Sequence, residues 1–199
     1  MNKKQFLVIN NNAKGKIDEI EYIASGFYEE KKSKFYAYIF EITETNQVQK
    51  ILNSAKKHFK DARHIVYAYI LENEYYFCDD GEPSGTGGKA IYALLEKQNV
   101  VNTLVIVIRY FGGILLGVGP LSRAYLKAVK NAEENLDIVD YVPKTTIKIK
   151  CSYNGEPYLR NLIEKSESNI INVEYAESII YTILTLDSKK DIFKDYENC

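Results

Sequence analysis

Acids and glycines are concentrated in one stretch of the chain, CDDGEPSGTGGKA at residues 78–90. Ser84 or Thr86 can cap a helix that begins near Gly87, because their hydroxyls accept hydrogen bonds from the first free amides of a helix. Those amides and the positive end of the helix dipole would then face the loop. The residue types therefore predict a pocket for an anion such as a phosphate or a carboxylate.

A second glycine-rich stretch, RYFGGILLGVGPLSRAY at residues 109–125, also leads from an apolar run into a helical pattern. We expect the two stretches to meet at one end of the fold, which we call the rim. There the amides of residues 85–88, together with Lys89, Arg109 and Arg123, would form a cradle for the anion.

Three acids leave the chemistry of the first loop open. Asp79, Asp80 and Glu82 would repel a bare anion, unless a divalent cation lies between them or the carboxylates pair with Arg109 and Arg123. In a structural alternative, the glycines supply positive-φ turns and close packing, and the acids cap helix ends. The sequence supports the functional and the structural interpretation equally.

The first loop does not match the common nucleotide-binding patterns. In a Walker A motif the first glycine would fall on Pro83, and Ala90 stands where a magnesium-binding hydroxyl is required. Gly85, Gly87 and Ala90 fit the looser dinucleotide pattern, but no ribose-binding acid follows at the end of a next strand. We therefore expect neither an ATPase of that class nor a bound cofactor.

Two further kinds of chemistry have weaker support. Tyrosines beside basic groups can stack the bases of single-stranded nucleic acid, but a chain without tryptophan is more readily explained as filling its core with tyrosine. His64 and Cys78 could approach across a sheet, yet no third group is evident to orient the base. The aromatic residues near the two loops are Tyr67, Tyr69, Tyr75, Tyr76, Tyr110 and Phe111.

Composition describes an ordinary globular protein. The net charge is -1, so binding to nucleic acid would need a local basic patch. The apolar runs are shorter than the roughly 18 residues of a membrane span, and the N-terminus lacks the apolar core of a signal peptide. Three widely separated cysteines form neither a disulfide framework nor a spaced metal site. We expect a cytoplasmic protein without a metal site.

The elements that must position the two loops follow from hydrophobic periodicity. Residues 103–108, TLVIVI, are apolar on both faces and predict a central strand buried from both sides. Strands are also predicted at residues 20–27, 33–42, 65–71 and 75–78, with the charged EEKK as a hairpin tip. One helix is predicted behind Thr45 or Asn46 as cap, one after the first loop, and one from Pro120.

The chain is predicted to contain two domains. Residues 1–16 are expected to be loosely ordered or to add an edge strand, residues 17–140 to form the first domain, and residues 141–199 the second. In the second, strands at 145–151, 170–175 and 179–186 and helices at 157–166 and 188–196 give a β-α-β-β-α order. That order is most of a ferredoxin-like unit.

Four motifs resemble the YigZ/IMPACT family: KKSKFYAYIF, ARHIVYAY, DDGEPSGTGGKA and RYFGGILLGVGPLSRAY, in this order. The resemblance covers residues 16–135. It implies an α+β protein whose N-terminal α/β sandwich is similar to the second domain of a small-subunit ribosomal protein. The C-terminal ferredoxin-like unit resembles, in the order of its elements, a domain of translation elongation factor G.

The resemblance also implies a set of site residues. Pro120 and Ala90 depart from the family pattern, and Pro120 removes one amide from any anion cradle. The residues expected to bind a ligand or nucleic acid are Asp79, Asp80, Glu82, Ser84, Gly85, Thr86, Gly87, Gly88, Lys89, Arg109, Tyr110, Gly112, Gly113 and Arg123.

Three functions remain open from the sequence. The first is a non-enzymatic, translation-associated regulatory factor that contacts RNA or the ribosome through the rim, since bacterial relatives are proposed to bind either. The second is an enzyme or sensor that binds a small phosphorylated ligand with a divalent cation. The third is a protein-interaction module, like the eukaryotic relatives that regulate translation initiation through partner proteins. The resemblance brings no established catalytic activity, and no oligomeric state is predicted.

Overall fold

The computed structural model describes residues 4–9, 14–134 and 136–197. The chain forms two compact units, the first ending at Tyr141 and the second beginning at Val142. Whether each unit is a domain that folds on its own stays a prediction. The molecule is mixed α/β, with several sheets and helices.

A five-stranded antiparallel sheet forms the centre of the first unit. Its strands in spatial order are β4 (Ala24–Glu30), β5 (Ser33–Glu41), β8 (Thr103–Tyr110), β6 (His64–Ile70) and β7 (Tyr75–Cys78). Strand β8 is central and buried on both faces up to Arg109, which confirms the prediction from its apolar run. The turn between β4 and β5 is formed by Lys31 and Lys32, whereas the two glutamates of the predicted EEKK tip end β4.

Helices cover both faces of this sheet. On one face lie α2 (Gly88–Gln98) and α3 (Val118–Glu133), and on the other lie α1 (Thr45–His58) and a small hairpin of β2 (Gly15–Ile17) and β3 (Ile20–Tyr22). Each face has its own apolar core. Because α2 and α3 both start at the same end of the sheet, their N-termini bring the two glycine loops together.

The predicted helix starts need three corrections. Helix α1 is capped at Glu44, whose amide donates to the side chain of Gln47, and not at Thr45 or Asn46. Helix α3 begins at Val118, two residues before Pro120. A proline in the first turn is tolerated, because the amide it lacks has no partner within the helix. The third correction concerns α2 and is described with the site.

The N-terminal segment forms an edge pairing. Strand β1 (Gln5–Ile9) pairs antiparallel with β9 (Leu136–Asp140), which follows α3 in the first unit. The sequence interpretation allowed an edge strand in residues 1–16 but assigned no strand to residues 136–140. Residues 1–3 and 10–13 of the predicted loose segment lie outside the described residues.

The second unit is a three-stranded antiparallel sheet with helices on one face. Along the chain it contains β10 (Lys144–Cys151), α4 (Glu156–Lys165), β11 (Asn169–Tyr175), β12 (Ile179–Leu186), a 3₁₀ helix (Asp187–Phe193) and α5 (Lys194–Glu197). The strand order is β10-β12-β11. The predicted last α-helix is mostly a 3₁₀ helix. A segment this short is not stable as an isolated α-helix, so its conformation depends on packing, here of the fully buried Phe193.

Candidate functional site

The two glycine loops are joined by a buried ion pair. Arg109, near the end of β8, donates from Nη1 to Oε1 of Glu82 in the first loop at 2.5 Å. The hydroxyl of Tyr125, in the second turn of α3, donates to the same oxygen at 2.6 Å. The side chains of Glu82 and Arg109 are only 3% and 6% exposed. The loops therefore meet at the rim, as expected, and an acid of the first loop makes the connection.

The surroundings of this pair are largely aromatic. The Arg109 guanidinium lies 5.6 Å from the ring centroids of both Phe35 and Phe111. Burial is the main cause that raises the pKa of Tyr125 far above its ordinary value, and the hydrogen bond to Glu82 raises this pKa further. Tyr125 therefore stays protonated and keeps donating to the Glu82 carboxylate.

Asp79 occupies the amides that were predicted to face an anion. Its carboxylate accepts hydrogen bonds from the amides of Gly85 at 2.8 Å, Gly87 at 3.0 Å and Lys89 at 3.4 Å. The carboxylate therefore satisfies the free amides at the start of α2 and offsets the positive end of the helix dipole. An external anion would have to displace Asp79 from these amides.

The predicted caps of α2 are wrong for the same reason. The helix begins after Gly87, which is its N-cap residue. Because glycine has no side chain, the N-cap residue makes no side-chain hydrogen bond to the first amides of the helix. The Thr86 hydroxyl instead donates to the carbonyl of Pro83 at 2.7 Å, and Ser84 is exposed. A carboxylate eight residues before the helix cap takes the role predicted for these hydroxyls.

Asp80 fastens the first loop to the start of β6. Its Oδ2 accepts the amide of Ile65 at 2.7 Å, and its backbone carbonyl lies 2.7 Å from Nδ1 of His64. Because a carbonyl only accepts, Nδ1 carries the proton in this contact. Nε2 of the same ring lies 3.9 Å from Glu82. All three acids of the loop therefore have partners within the protein.

Two of the predicted glycines allow close backbone packing. A Cβ at Gly88 would lie 2.3 Å from the Cys78 carbonyl oxygen, and one at Gly112 would lie 2.1 Å from the backbone carbon of Lys32. The amide of Gly112 also donates to the Ser33 hydroxyl at 3.1 Å. Gly112 thus holds the second loop against the hairpin turn between β4 and β5.

Two basic residues of the rim point outward, in contrast to the buried Arg109. Lys89 is exposed, and so is Arg123, which lies against the first turn of α3: a Cβ at Gly119 would be 3.4 Å from its Nη1. Three exposed cations that the sequence interpretation did not include border the rim: Lys31, Lys32 and Arg63. The signal for the two lysines was the EEKK segment, which the pairing of β5 with β8 brings beside the second loop. The signal for Arg63 was the ARHIVYAY motif, and its amide donates to the carbonyl of Arg109.

Aromatic side chains near the rim are mostly engaged with one another. Tyr110 packs edge-on against Tyr36 at 5.9 Å, and Tyr75 stacks on Tyr92 at 4.7 Å. Of the aromatic residues proposed for stacking, Tyr75, Tyr76 and Phe111 are about half exposed.

The remaining chemical possibilities lack the required geometry. Strand pairing sets Cys78 opposite Tyr67, three residues along β6 from His64, so the two are not brought together. In residues 4–9, 14–134 and 136–197, no group of three or more His, Cys, Asp or Glu residues is arranged to hold a metal ion. The described helices include none long and apolar enough to span a bilayer.

Known proteins resemble this chain over most of its length. The Impact N-terminal domain family matches residues 31–132. The IMPACT family member YigZ of Escherichia coli (strain K12) is 31% identical over 158 residues, which cover 77% of this chain and 78% of that protein. The IMPACT family member YvyE of Bacillus subtilis (strain 168) is 28% identical over 169 residues, covering 83% and 78%.

One solved structure shares the fold over nearly the whole chain. The crystal structure of a hypothetical protein aligns with a TM-score of 0.67 at 27% sequence identity, covering 96% of this chain and 90% of the other. The match to the Impact N-terminal domain and the similarity to YigZ show that the chain belongs to the IMPACT family.

Proposed function

We propose that this protein is a non-enzymatic, translation-associated regulatory factor that contacts RNA, free or in the ribosome, through the rim of its first unit. The observation that carries the proposal is the different engagement of the charges there. Glu82 is buried on Arg109, and half-buried Asp79 and exposed Asp80 accept backbone amides. By contrast, the exposed Lys89 and Arg123 take part in none of the ion pairs found among the described residues. The charge offered to a partner is therefore mainly positive.

A polyanion matches this arrangement better than a small ligand. Lys31, Lys32 and Arg63 extend the cationic surface beyond the two loops, as a contact with many phosphates requires. Glu29, Asp61 and Asp80 are also exposed there, which limits the excess of positive charge. A local basic surface is compatible with the net charge of -1, because screening confines such interactions to about 10 Å.

The alternative of a small phosphorylated ligand with a divalent cation receives less support. Each carboxylate that could hold the cation already accepts hydrogen bonds from the protein. The amides that could bind a phosphate already donate to Asp79. A catalytic role would need at least one of these groups to be free for substrate.

Family and topology supply the remaining parts of the proposal. The translational context and the cytoplasmic location come from the family resemblance, as does the likeness of the first unit to a ribosomal-protein domain. For the second unit, the strand order β10-β12-β11 with α4 between β10 and β11 supports a ferredoxin-like arrangement.

The test is salt-dependent binding of RNA by the full chain. Fluorescence anisotropy with a labelled single-stranded RNA, and co-sedimentation with ribosomal subunits, would compare the wild type with Lys89→Ser/Arg123→Ser. For two lost phosphate contacts, the slope of log affinity against log salt should fall by about 1.4.

A matched control comes from the same two helices. Lys97 and Lys130 lie in the last turns of α2 and α3 and are exposed, so Lys97→Ser/Lys130→Ser removes equal charge at the opposite ends. This variant should bind like the wild type. Absence of salt-dependent binding to RNA and ribosomal subunits, or equal loss in both variants, would overturn the proposal.

A protein partner is the second candidate, favoured by exposed apolar side chains in the second loop. Leu115 is 84% exposed and Val118 is 61% exposed. If a protein is the ligand, it should be retained from nuclease-treated lysate by the wild type and lost with Leu115→Ser. Retention that disappears after nuclease treatment would instead indicate RNA.

A further inference from the structure

The sheet of the second unit has one face without helices. Residues of β10 alternate strictly: Ile149 and Cys151 are buried in the core with α4, whereas Lys148 and Lys150 are exposed on the other face. Along β12, Tyr181 and Ile183 are buried and Thr182 lies between them on the outer side. The helices and Phe193 pack on the buried side, which leaves the outer side open.

Lysines form a row on this open face. Lys144, Lys148 and Lys150 occupy alternating positions of one strand with Thr146 between the first two, and all four are exposed. Residues two apart in a strand are separated by about 6.8 Å, so the row extends about 20 Å. None of the ion pairs found among the described residues includes a lysine of this row.

The neighbouring strands add few opposing charges to the face. Lys148 pairs with Thr182 and Lys150 with Ile180 on β12. The acid of β11 on this side is Glu174, one strand further away, where the Asn172 side chain donates to it at 3.2 Å. At the end of the row, Lys150 lines a cavity that also contains the acids Glu177 and Asp195. The face therefore presents a line of cations and hydroxyls beside half-buried aliphatic side chains.

We propose that this open face binds the sugar-phosphate backbone of single-stranded RNA along β10. Regularly spaced ammonium groups complement a chain of phosphates, and threonine hydroxyls can donate to phosphate oxygens. A bilayer surface fits less well, because the exposed positions of β10 carry lysines and a threonine and no large apolar side chain that could insert between lipids. The proposal rests on RNA being the ligand and adds a second contact to that of the rim.

A second RNA contact on the same chain would increase the affinity for RNA by more than the weak binding of that contact alone would suggest. Once the rim is bound, the open face meets the RNA at the high effective concentration set by the covalent connection. This requires only an RNA long enough to reach both surfaces. Short oligonucleotides should then bind much more weakly than long ones.

The test is anisotropy of the full chain with a labelled oligouridylate long enough for both surfaces, titrated at several salt concentrations. Lys144→Ser/Lys148→Ser/Lys150→Ser should reduce the slope of log affinity against log salt by about 2, because each single-strand phosphate contact contributes about 0.7. Lys165→Ser/Lys190→Ser/Lys194→Ser removes the same charge from the helices and should leave the slope unchanged. Circular dichroism checks that both variants fold.

A gain-of-function variant keeps the test independent of damage to the fold. Thr146→Lys adds a cation at an exposed position of the row and should tighten RNA binding. Unchanged binding in both Thr146→Lys and the triple serine variant would overturn this inference while leaving the rim proposal intact. The inference would also be overturned if the triple serine variant lost binding to vesicles of phosphatidylcholine and phosphatidylserine but bound RNA like the wild type. No RNA binding by the wild type would overturn both proposals.

Discussion

Glu82 is the acid on which the contact between the two loops depends. Its carboxylate accepts from Arg109 on β8 and from Tyr125 on α3, and it lies near His64 on β6. A charge this deeply buried is tolerated only because an opposite charge and a hydroxyl compensate it. The same residue therefore sets the position of the first loop relative to three elements of the first unit.

Replacing Glu82 should destabilise the protein strongly. Glu82→Ala leaves the Arg109 guanidinium buried without its counter-charge, which typically lowers the free energy of unfolding by about 3–5 kcal/mol. Urea denaturation would measure this, with Asp61→Ala as an exposed control expected to change little. The double variant Glu82→Leu/Arg109→Met should be more stable than Glu82→Ala. A loss below about 1 kcal/mol would show that the pair is not compensating a buried charge.

The sequence limited the possible partners of the three loop acids to a few groups, but it did not decide which acid binds which partner. Pairing of Asp79, Asp80 and Glu82 with Arg109 and Arg123 was one of the alternatives, and capping by acids was another. Glu82 pairs with Arg109, whereas Asp79 and Asp80 bind backbone amides. The direction of each carboxylate depends on loop conformation and on tertiary contacts, which local pattern does not specify.

At the scale of elements, the start of α2 depends on a residue outside the helix. Asp79 follows β7 and reaches forward to the amides of Gly85, Gly87 and Lys89. One carboxylate therefore both closes the loop and supplies the charge that a helix N-terminus favours. The loop and the helix should consequently lose order together when this side chain is shortened.

Asp79→Ala should destabilise the protein by about 1–2 kcal/mol, the upper part of the range for loss of a helix cap, because three amides lose their acceptor. Asp79→Asn keeps an acceptor oxygen and loses mainly the interaction between charge and dipole, so its effect should be smaller, about 0.3–1 kcal/mol. Hydrogen exchange should locate the change at the amides of Gly85 and Gly87. Equal effects of both substitutions would contradict this account.

Whether an element was predictable depended on how its residues are buried. Strand β8 lies between two layers, so its sequence is apolar throughout and identifies it alone. Strand β9, LDIVD, is mostly exposed and pairs only with β1, so no pattern distinguishes it from a linker. Helix α1 is capped at Glu44 because Gln47 completes a capping box with it, and a preference for Thr45 as cap overlooks this combination.

For the molecule as a whole, tyrosine provides large aromatic side chains in the core, where other proteins often use tryptophan. The chain contains 17 tyrosines and no tryptophan, and Tyr125 and Tyr181 are fully buried, one in each unit. The interpretation of tyrosine as core filler thus holds for these two, while Tyr75 and Tyr76 are exposed. Each unit has a core of its own, and each core contains phenolic hydroxyls kept from water.

This use of tyrosine makes stability sensitive to alkaline pH. Burial raises the pKa of Tyr38 and of Tyr67 to about 12, compared with about 10 in an unfolded chain. Above pH 10 the unfolded chain releases these protons and the folded protein retains them, so the equilibrium shifts toward unfolding. The stabilisation is complete below about pH 10 and should be lost progressively as pH rises to about 12.

Tyr38→Phe separates this effect from the deprotonation of lysine in the same range. The described structure shows no hydrogen bond from the Tyr38 hydroxyl. The centroid of its ring lies 5.0 Å from that of Tyr22 and 5.7 Å from that of Phe59, so phenylalanine can keep the packing. Urea midpoints measured between pH 8 and 11.5 should fall less steeply for Tyr38→Phe than for the wild type. Parallel curves for the two proteins would mean that the Tyr38 hydroxyl ionises equally in the folded and unfolded chains, and that its burial has no energetic consequence.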